Sequence, residues 1–498
     1  METDLRLKRL GQFEMPGIEA ISAAHVQEGV FCPPEHPPLE ALPPFYRVLL
    51  RMRADDGGLS YAEVWLPERW NGILLGLGNG GMAGKIAYGA YPEFLREGYA
   101  AANTDLGTSR GEESGVRRPG VWKDFGWRAT HRMTEAAKAL VRLHYGRAAD
   151  FSYFYGASTG GQQALAEAQR FPGDYDGIFA EVPANNRTLL HTYFLWNHVH
   201  LRRPDGRVLF TQEEIGQITG LMTEFFQHKG DGCPGDPFIS LPQAGDALLE
   251  EAVAWLSRSA SFTEEQLRAL RAVYGGPVNP RTGERIYNGM PAGSEIYSCG
   301  IADCQGERSP HFYPFLWAFG KDYSPYTFDF DRDLERLNDA LAADLNANDP
   351  DLTAFRAGGG KLLIVSGSAD PCVPFPDAMR YYERVLGRMG GYEAAGDFCR
   401  FFLMPGRDHG ASGRGANALR GTDGASPLAV LRNWRENGAA PDSMRALRLL
   451  PGGGEESAFA REIFPYGSPS FPLGCCPPAC CGRYLEGWPP IASKEELS

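Results

Sequence analysis

Ser158 sits in Gly156-Ala157-Ser158-Thr159-Gly160, and a serine at the centre of Gly-x-Ser-x-Gly is a candidate nucleophile. Its hydroxyl is weak at neutral pH, so it needs a base to take the proton and a carboxylate to orient that base. Asp370, in Gly367-Ser368-Ala369-Asp370-Pro371, and His409, in Pro405-Gly406-Arg407-Asp408-His409, supply those types in the order serine, acid, histidine. Asp408 is the rival carboxylate, but adjacent loop side chains usually diverge, whereas Asp370 stands at a strand end of its own. Asp370 also reads as a cap for the helix that follows, a role compatible with the first. Acyl transfer further requires N–H groups facing the developing oxyanion. Thr159, next to the serine, and the Gly80-Gly81 turn of Gly78-Asn79-Gly80-Gly81-Met82-Ala83-Gly84 fill those two posts, although that turn also reads as a plain strand-to-helix loop. His131, His144, His191, His198 and His200 read as packing, hydrogen-bonding or solvated residues.

The elements around these residues must hold them at strand ends. Residues 46–66 alternate apolar and polar side chains about Asp55-Asp56-Gly57-Gly58, which predicts a hairpin. Residues 72–78 and 98–105 read as short buried strands. Met133, Ala136, Ala137, Leu140 and Val141 mark one face of a helix ending near Gly146. The aromatic run at 151–155 predicts the strand before the serine, and Ala164, Leu165, Ala168 and Phe171 predict the helix after it. Another strand follows at 176–182. This alternation predicts an α/β chain with a doubly wound, mostly parallel sheet. From 186 the rhythm changes, and Thr211–Glu214 and Thr263–Gln266 each look like a capping box opening a helix. The alternation resumes with strands at 361–366 and 398–404 and helices at 376–386 and 427–437. The expected organisation is a lead-in (1–45), a core (46–186), an inserted lid (187–345), the rest of the core (346–450) and a loop-rich arm (451–498).

Composition narrows the function classes. A net charge of −13, without a stripe of Lys or Arg, argues against nucleic acid as a partner. No stretch approaches eighteen consecutive apolar residues, which argues against a membrane helix. The first ten residues carry charges with no apolar run behind them, so the expectation is a cytoplasmic protein whose cysteines are mostly reduced. Cys32, Cys233, Cys299, Cys304, Cys372 and Cys399 are scattered. Cys475, Cys476, Cys480 and Cys481 crowd into Cys-Cys-Pro-Pro-Ala-Cys-Cys, a spacing unlike the usual metal-ligand patterns, and it is read as a reduced tail feature. Neither the oligomeric state nor the purpose of that tail follows from the sequence.

The motifs together resemble the tannase and feruloyl esterase family of serine esterases. The resemblance runs from about Leu42 to about Trp434. It rests on Trp70-Asn71-Gly72, Gly78 to Gly84, Gly98-Tyr-Ala-Ala-Ala-Asn-Thr-Asp105, the serine turn with Gln169-Arg-Phe-Pro-Gly-Asp-Tyr-Asp-Gly177, segments between 267 and 295, Gly359-Gly-Lys-Leu362, and Pro405 to His409. The resemblance implies an α/β-hydrolase fold with a large substrate-binding lid, a Ser158–His409–Asp370 triad, and hydrolysis of small aromatic esters of gallate or feruloyl type. Mono(hydroxyethyl) terephthalate hydrolases are similar to the same family, so other aryl or alkyl esters are an alternative. A binding protein that keeps the fold without turnover is another. The five aromatics Phe312, Tyr313, Phe315, Trp317 and Phe319 read as lid core first and as a bed for a planar acyl group second. Exported members of the family join a cysteine before the serine to one after the histidine; here those positions are Ala157 and Gly410. Secreted members also bind calcium in an Asp-rich lid loop. The nearest stretch here, Gly230-Asp-Gly-Cys-Pro-Gly-Asp236, has too few carboxylates for six to eight oxygen ligands, so no cofactor is expected.

Overall fold

In the computed structural model, residues 2–203, 205–229, 235–240, 246–306, 310–450 and 457–471 are described. The chain packs into two units, one of Met1–Asn185, Phe315–Asp322 and Leu341–Leu362, the other of Asn186–Pro314, Tyr323–Ala340 and Leu363–Ser498.

The first unit opens with a helix, Glu2–Gly11, and the strands β1 (Glu14–Met15), β2 (Ile18–Val26), β3 (Gly29–Phe31) and β4 (Leu39–Leu42). The segment expected as a lead-in is therefore mostly regular structure, with β2 paired antiparallel to β5 (Phe45–Arg53) from Val26↔Phe45 to Ile18↔Met52. β5 and β6 (Leu59–Pro67) make the predicted hairpin, in register from Phe45↔Pro67 to Arg53↔Leu59. Next come β7 (Ile73–Leu77), β8 (Ala100–Thr104), β9 (Phe151–Ala157) and β10 (Gly177–Glu181). Their order across the sheet is β1-β2-β5-β6-β8-β7-β9-β10. Pairing is antiparallel as far as β6·β8 and parallel from β8 through β7 and β9 to β10. Parallel strands need crossover connections. The helices Ala129–Tyr145 and Thr159–Arg170 provide two of them, and the first stops at Gly146, whose φ of 77° suits glycine. This is the α/β fold expected. Its parallel strands are buried on both faces: β7 and β8 are buried at every position.

The second unit takes up the chain at Leu363, within β11 (Lys361–Gly367), which is hydrogen-bonded to β12 (Cys399–Met404), and carries a small antiparallel sheet of β13 (Ala418–Arg420), β14 (Met444–Leu449) and β15 (Ser457–Ile463). β15 corrects the expectation of loops from 451 onward: its Ala, Phe and Ile pair across from β14 instead. Cys475 to Cys481, and the rest of that arm beyond 471, lie outside the described residues.

Both expected capping boxes form. Thr211 Oγ1 accepts from Glu214 N (3.2 Å) while Glu214 Oε2 accepts from Thr211 N (2.7 Å), opening the helix Gln212–Lys229. Thr263 and Gln266 do the same for Glu264–Gly275. Of residues 187–345, expected as a lid, most lie in the second unit, while 315–322 and 341–345 pack in the first. Trp317 is fully buried there, its indole donating to Glu112 O (2.8 Å), so it is no part of an acyl-binding bed in the second unit. Among the described residues no helix is long and apolar enough to cross a membrane.

Candidate active site

Ser158 follows the last residue of β9 and caps the helix Thr159–Arg170, with φ 60° and ψ −115°, a conformation an L-residue adopts only under strain. The turn is fixed on both sides. Ser158 N donates to Glu181 O at the end of β10 (2.9 Å), and Ser158 O accepts from Gln162 N and Ala184 N (both 3.1 Å). Such tightness requires bare backbone. A Cβ on Gly156 would lie 2.4 Å from Gly160 O, and one on Gly78 would lie 2.5 Å from Gly160 Cα and 2.7 Å from Gly156 Cα. The glycines of the motif are thus where one strand end, the turn and the helix start touch without side chains between them. Ser158 itself stays partly exposed.

The glycine turn after β7 is tied to the same helix. Gly160 N donates to Asn79 O (2.7 Å), Asn79 N donates to Gln163 Oε1 (2.8 Å), and Thr159 Oγ1 donates to Gly81 O. Asn79 Nδ2 reaches Thr104 O (2.8 Å) at the end of β8, so the turn is anchored from two strands. Gly80 and Gly81 are exposed, and a Cβ on either would meet nothing within 4 Å. Space beside them, together with the amino end of a helix, suits a developing negative charge. Sequence reasoning missed Gln163 and Asn79 as the positioning residues, since an amide inside a helix or a loop carries no pattern.

In the second unit Asp370 lies three residues beyond β11 and is fully buried. Its Oδ1 accepts from Cys372 N (2.8 Å) and Val373 N (2.9 Å), and its Oδ2 is 2.8 Å from His409 Nδ1. The carboxylate therefore caps the turn at 371–373; the helix Phe375–Met389 has Pro374 at its N-cap, which corrects the expectation that Asp370 caps the helix. Tyr193 donates from its hydroxyl to Pro371 O (2.8 Å) and steadies the same turn. The loops after β11 and β12 are laced together: Ser368 N donates to Met404 O (3.0 Å), Gly406 N to Ser368 Oγ (2.7 Å) and Ala369 N to Arg407 O (3.0 Å). A Cβ on Gly367 would fall 2.3 Å from Arg407 O, so this approach again requires glycine. Asp408 is buried and faces the other way, accepting from Gly413 N (2.8 Å) and Ser412 Oγ (3.1 Å). Asp370, and not Asp408, is therefore the carboxylate bonded to His409, at Nδ1 of the ring.

The structure thus brings Ser158 and Thr159 together with Gly80 and Gly81 in the first unit, and Asp370 with His409 in the second. Of the other histidines, His131 bonds Asp174 (2.7 Å), His191 and His198 bond the carbonyls of His311 and Cys304, and His200 bonds that of Trp196, as packing groups do. His144 is held down to about 4 by burial, with Arg6 and Arg9 adding to the effect. In the stretch considered for calcium, both oxygens of Asp236 accept from Arg461 Nη2 (2.5 and 2.6 Å), and 230–234 lie outside the described residues. Cys32, Cys299, Cys304, Cys372 and Cys399 are free thiols.

The family described as tannase and feruloyl esterase matches residues 53–308 and 322–472. An uncharacterised esterase of Xanthomonas campestris pv. campestris is 32% identical over 482 residues, covering 87% of this chain and 82% of that one. Feruloyl esterase B of Aspergillus niger is 29% identical over 431 residues, covering 82% and 81%. Among solved structures, feruloyl esterase B from Aspergillus oryzae superposes with a TM-score of 0.81 at 23% identity, over 93% of this chain and 96% of that one. The tannin acyl hydrolase from Aspergillus niger superposes with a TM-score of 0.71 at 19% identity, over 93% and 91%. The structural likenesses concern the fold, an α/β-hydrolase sheet with an inserted domain.

Proposed function

The chain belongs to the tannase and feruloyl esterase family and is a carboxylic ester hydrolase, and on that premise we propose that it cleaves phenolic-acid esters of feruloyl or gallate type through Ser158, His409 and Asp370. The observation that carries the reading is the 2.8 Å bond from buried Asp370 to His409 Nδ1, which fixes the tautomer that a general base needs. In the working enzyme Ser158 Oγ attacks the ester carbonyl as His409 Nε2 takes its proton. The N–H of Thr159 and that of Gly80 or Gly81 receive the oxyanion. Collapse expels the alcohol, protonated by His409, and leaves an acyl group on Ser158. Water, deprotonated by the same imidazole, then releases the acid. The names of the relatives, feruloyl esterase above all, support the phenolic acyl group.

The test is a panel of methyl ferulate, methyl gallate, a terephthalate monoester and short alkyl esters, run with the unsubstituted chain and with Ser158→Ala. The reading expects the phenolic esters to give the highest kcat/KM, and Ser158→Ala to abolish hydrolysis of all of them. Full aryl-ester hydrolysis by Ser158→Ala would remove the nucleophile assignment. A preference for terephthalate or alkyl esters would keep the chemistry and replace the substrate.

A further inference from the structure

Three side chains distant in sequence converge in the second unit at a point that ester hydrolysis does not use. Cys299, His311 and Cys372 each offer one ligand atom, and these atoms lie within 4.8 Å of one another. Cys299 Sγ is 3.5 Å from His311 Nε2. A tetrahedral zinc with Zn–S of about 2.3 Å and Zn–N of about 2.0–2.1 Å would hold its sulfur and nitrogen ligands roughly 3.5 Å apart and two sulfurs roughly 3.8 Å apart. The cluster is therefore near the dimensions of a tetrahedral site before any ion enters.

Each ligand is also oriented from behind. Cys299 has a φ of 67°, left-handed backbone that a cysteine rarely adopts, and it is locked there by Cys299 N donating to Asp303 Oδ2 (2.6 Å) and by Cys304 Sγ donating to Cys299 O (3.3 Å). Cys304 is thus turned to a carbonyl and is no fourth ligand. The imidazole of His311 stacks on Phe194 with ring centres 4.0 Å apart, and its own carbonyl accepts from Nδ1 of buried His191. Cys372 is fixed through its N–H on Asp370 Oδ1. Supports of this kind aim ligands in metal centres.

We propose that Cys299 Sγ, Cys372 Sγ and His311 Nε2 bind one divalent cation of the zinc type, with water in the fourth position. Both sulfurs bind as thiolates, their thiol protons going to solvent, and His311 gives a ring-nitrogen lone pair, so two thiolates balance the charge of the ion. The bound cation ties the turn at 371–373, which carries the Asp370 contacts, to Cys299 and His311. The competing chemistry is a Cys299–Cys372 disulfide, which would need an external oxidant to take two electrons and would use up both sulfur ligands.

The test uses the full chain, reduced with TCEP, stripped with a chelator and titrated with Co²⁺ without oxygen. The expected result is saturation at one equivalent with a near-ultraviolet thiolate-to-cobalt band and the intense red absorption of a tetrahedral site, both erased by Zn²⁺. Cys372→Ser and His311→Ala should each lose the tetrahedral signature. Zinc should raise the unfolding temperature of the unsubstituted chain and leave that of the variants unmoved. Replacing Cys475, Cys476, Cys480 and Cys481 together by Ser should leave the signal intact, which keeps the test decisive even where a cluster variant fails to fold. Absence of a sulfur-to-cobalt band in the reduced chain would overturn the site. A band that vanishes only with the tail cysteines would do the same, as would a Cys299–Cys372 disulfide in a chain that takes up no metal once reduced.

Discussion

Asp370 divides its oxygens between two partners, Oδ1 for two backbone N–H groups and Oδ2 for His409. An amide at this position can satisfy only one of those demands, because its NH₂ would face an N–H wherever it turned. Asp370→Asn is therefore expected to cut kcat by about 10³–10⁴-fold, as loss of the orienting carboxylate does in serine hydrolases, with the fold intact. Steady-state rates beside a thermal melt check this; a variant with nearly full kcat would mean that the Asp370–His409 bond is only structural. Asp408→Asn should leave kcat within a few-fold, because its carboxylate serves the 412–413 turn. The residue types were legible in the sequence because acyl-transfer chemistry restricts them. The preference for Asp370 over its neighbour was also legible, from its own place at a strand end, and the coordinates add the direction in which each carboxylate faces.

The elements hold these residues through places where backbone meets backbone. A methyl on Gly156 would strike Gly160 O, in strand and helix positions that cannot give way, so Gly156→Ala should destabilise by about 1–3 kcal/mol or more, as overpacking does. Gly80→Ala meets open space and should melt like the unsubstituted chain; equal melts for the two variants would contradict this account. The helix Phe375–Met389 offers a pH test. Burial raises the Asp377 carboxyl from 3.8 to about 6, against the Asn186 amide that donates to it (3.2 Å). Between those values the folded state binds the proton that the unfolded chain has lost, so Asp377 makes stability fall as pH rises from about 4 to about 6 and plateau above. Asp377→Asn should flatten that slope, being about 3 kcal/mol more stable than the unsubstituted chain at pH 8 and little different near pH 3.5, by denaturant melts at both pH values. Which elements could be read from sequence follows the same physics. The hairpin, the strand–turn–helix at Ser158 and the capping boxes carry local patterns. The helix Arg187–Leu201 escaped because it is buried nearly all round, with His191, Tyr193, Phe194, Leu195 and Asn197 inside together, so no single apolar stripe betrays it. β2 escaped because its small and polar residues, Glu19, Ala20, Ser22 and Ala23, lack the alternation of a half-buried strand.

At the scale of the whole molecule, the chain keeps five described cysteines as free thiols, and Ala157 and Gly410 leave no sulfur beside the serine and the histidine. Hydrogen bonds and close approach at glycines hold the Ser158 turn and the Asp370–His409 pair instead. Millimolar TCEP is accordingly expected to leave the ester-hydrolysis rate and the unfolding temperature unchanged; a marked fall in either would reveal a disulfide on which the fold depends. The family was legible because its motifs recur in one order along most of the chain. The Cys299–His311–Cys372 convergence was not, since Cys372 lies far along the chain from the other two and meets them only through tertiary packing. The central claim, that Ser158 is the nucleophile of a serine esterase, is tested most directly by treating the full chain with a fluorophosphonate and mapping the adduct by peptide mass spectrometry. The account predicts a single adduct on Ser158, formed in step with loss of phenolic-ester hydrolysis and absent from Ser158→Ala and from protein inactivated by His409→Ala. An adduct on another residue, or hydrolysis that continues while Ser158 is fully modified, would contradict it.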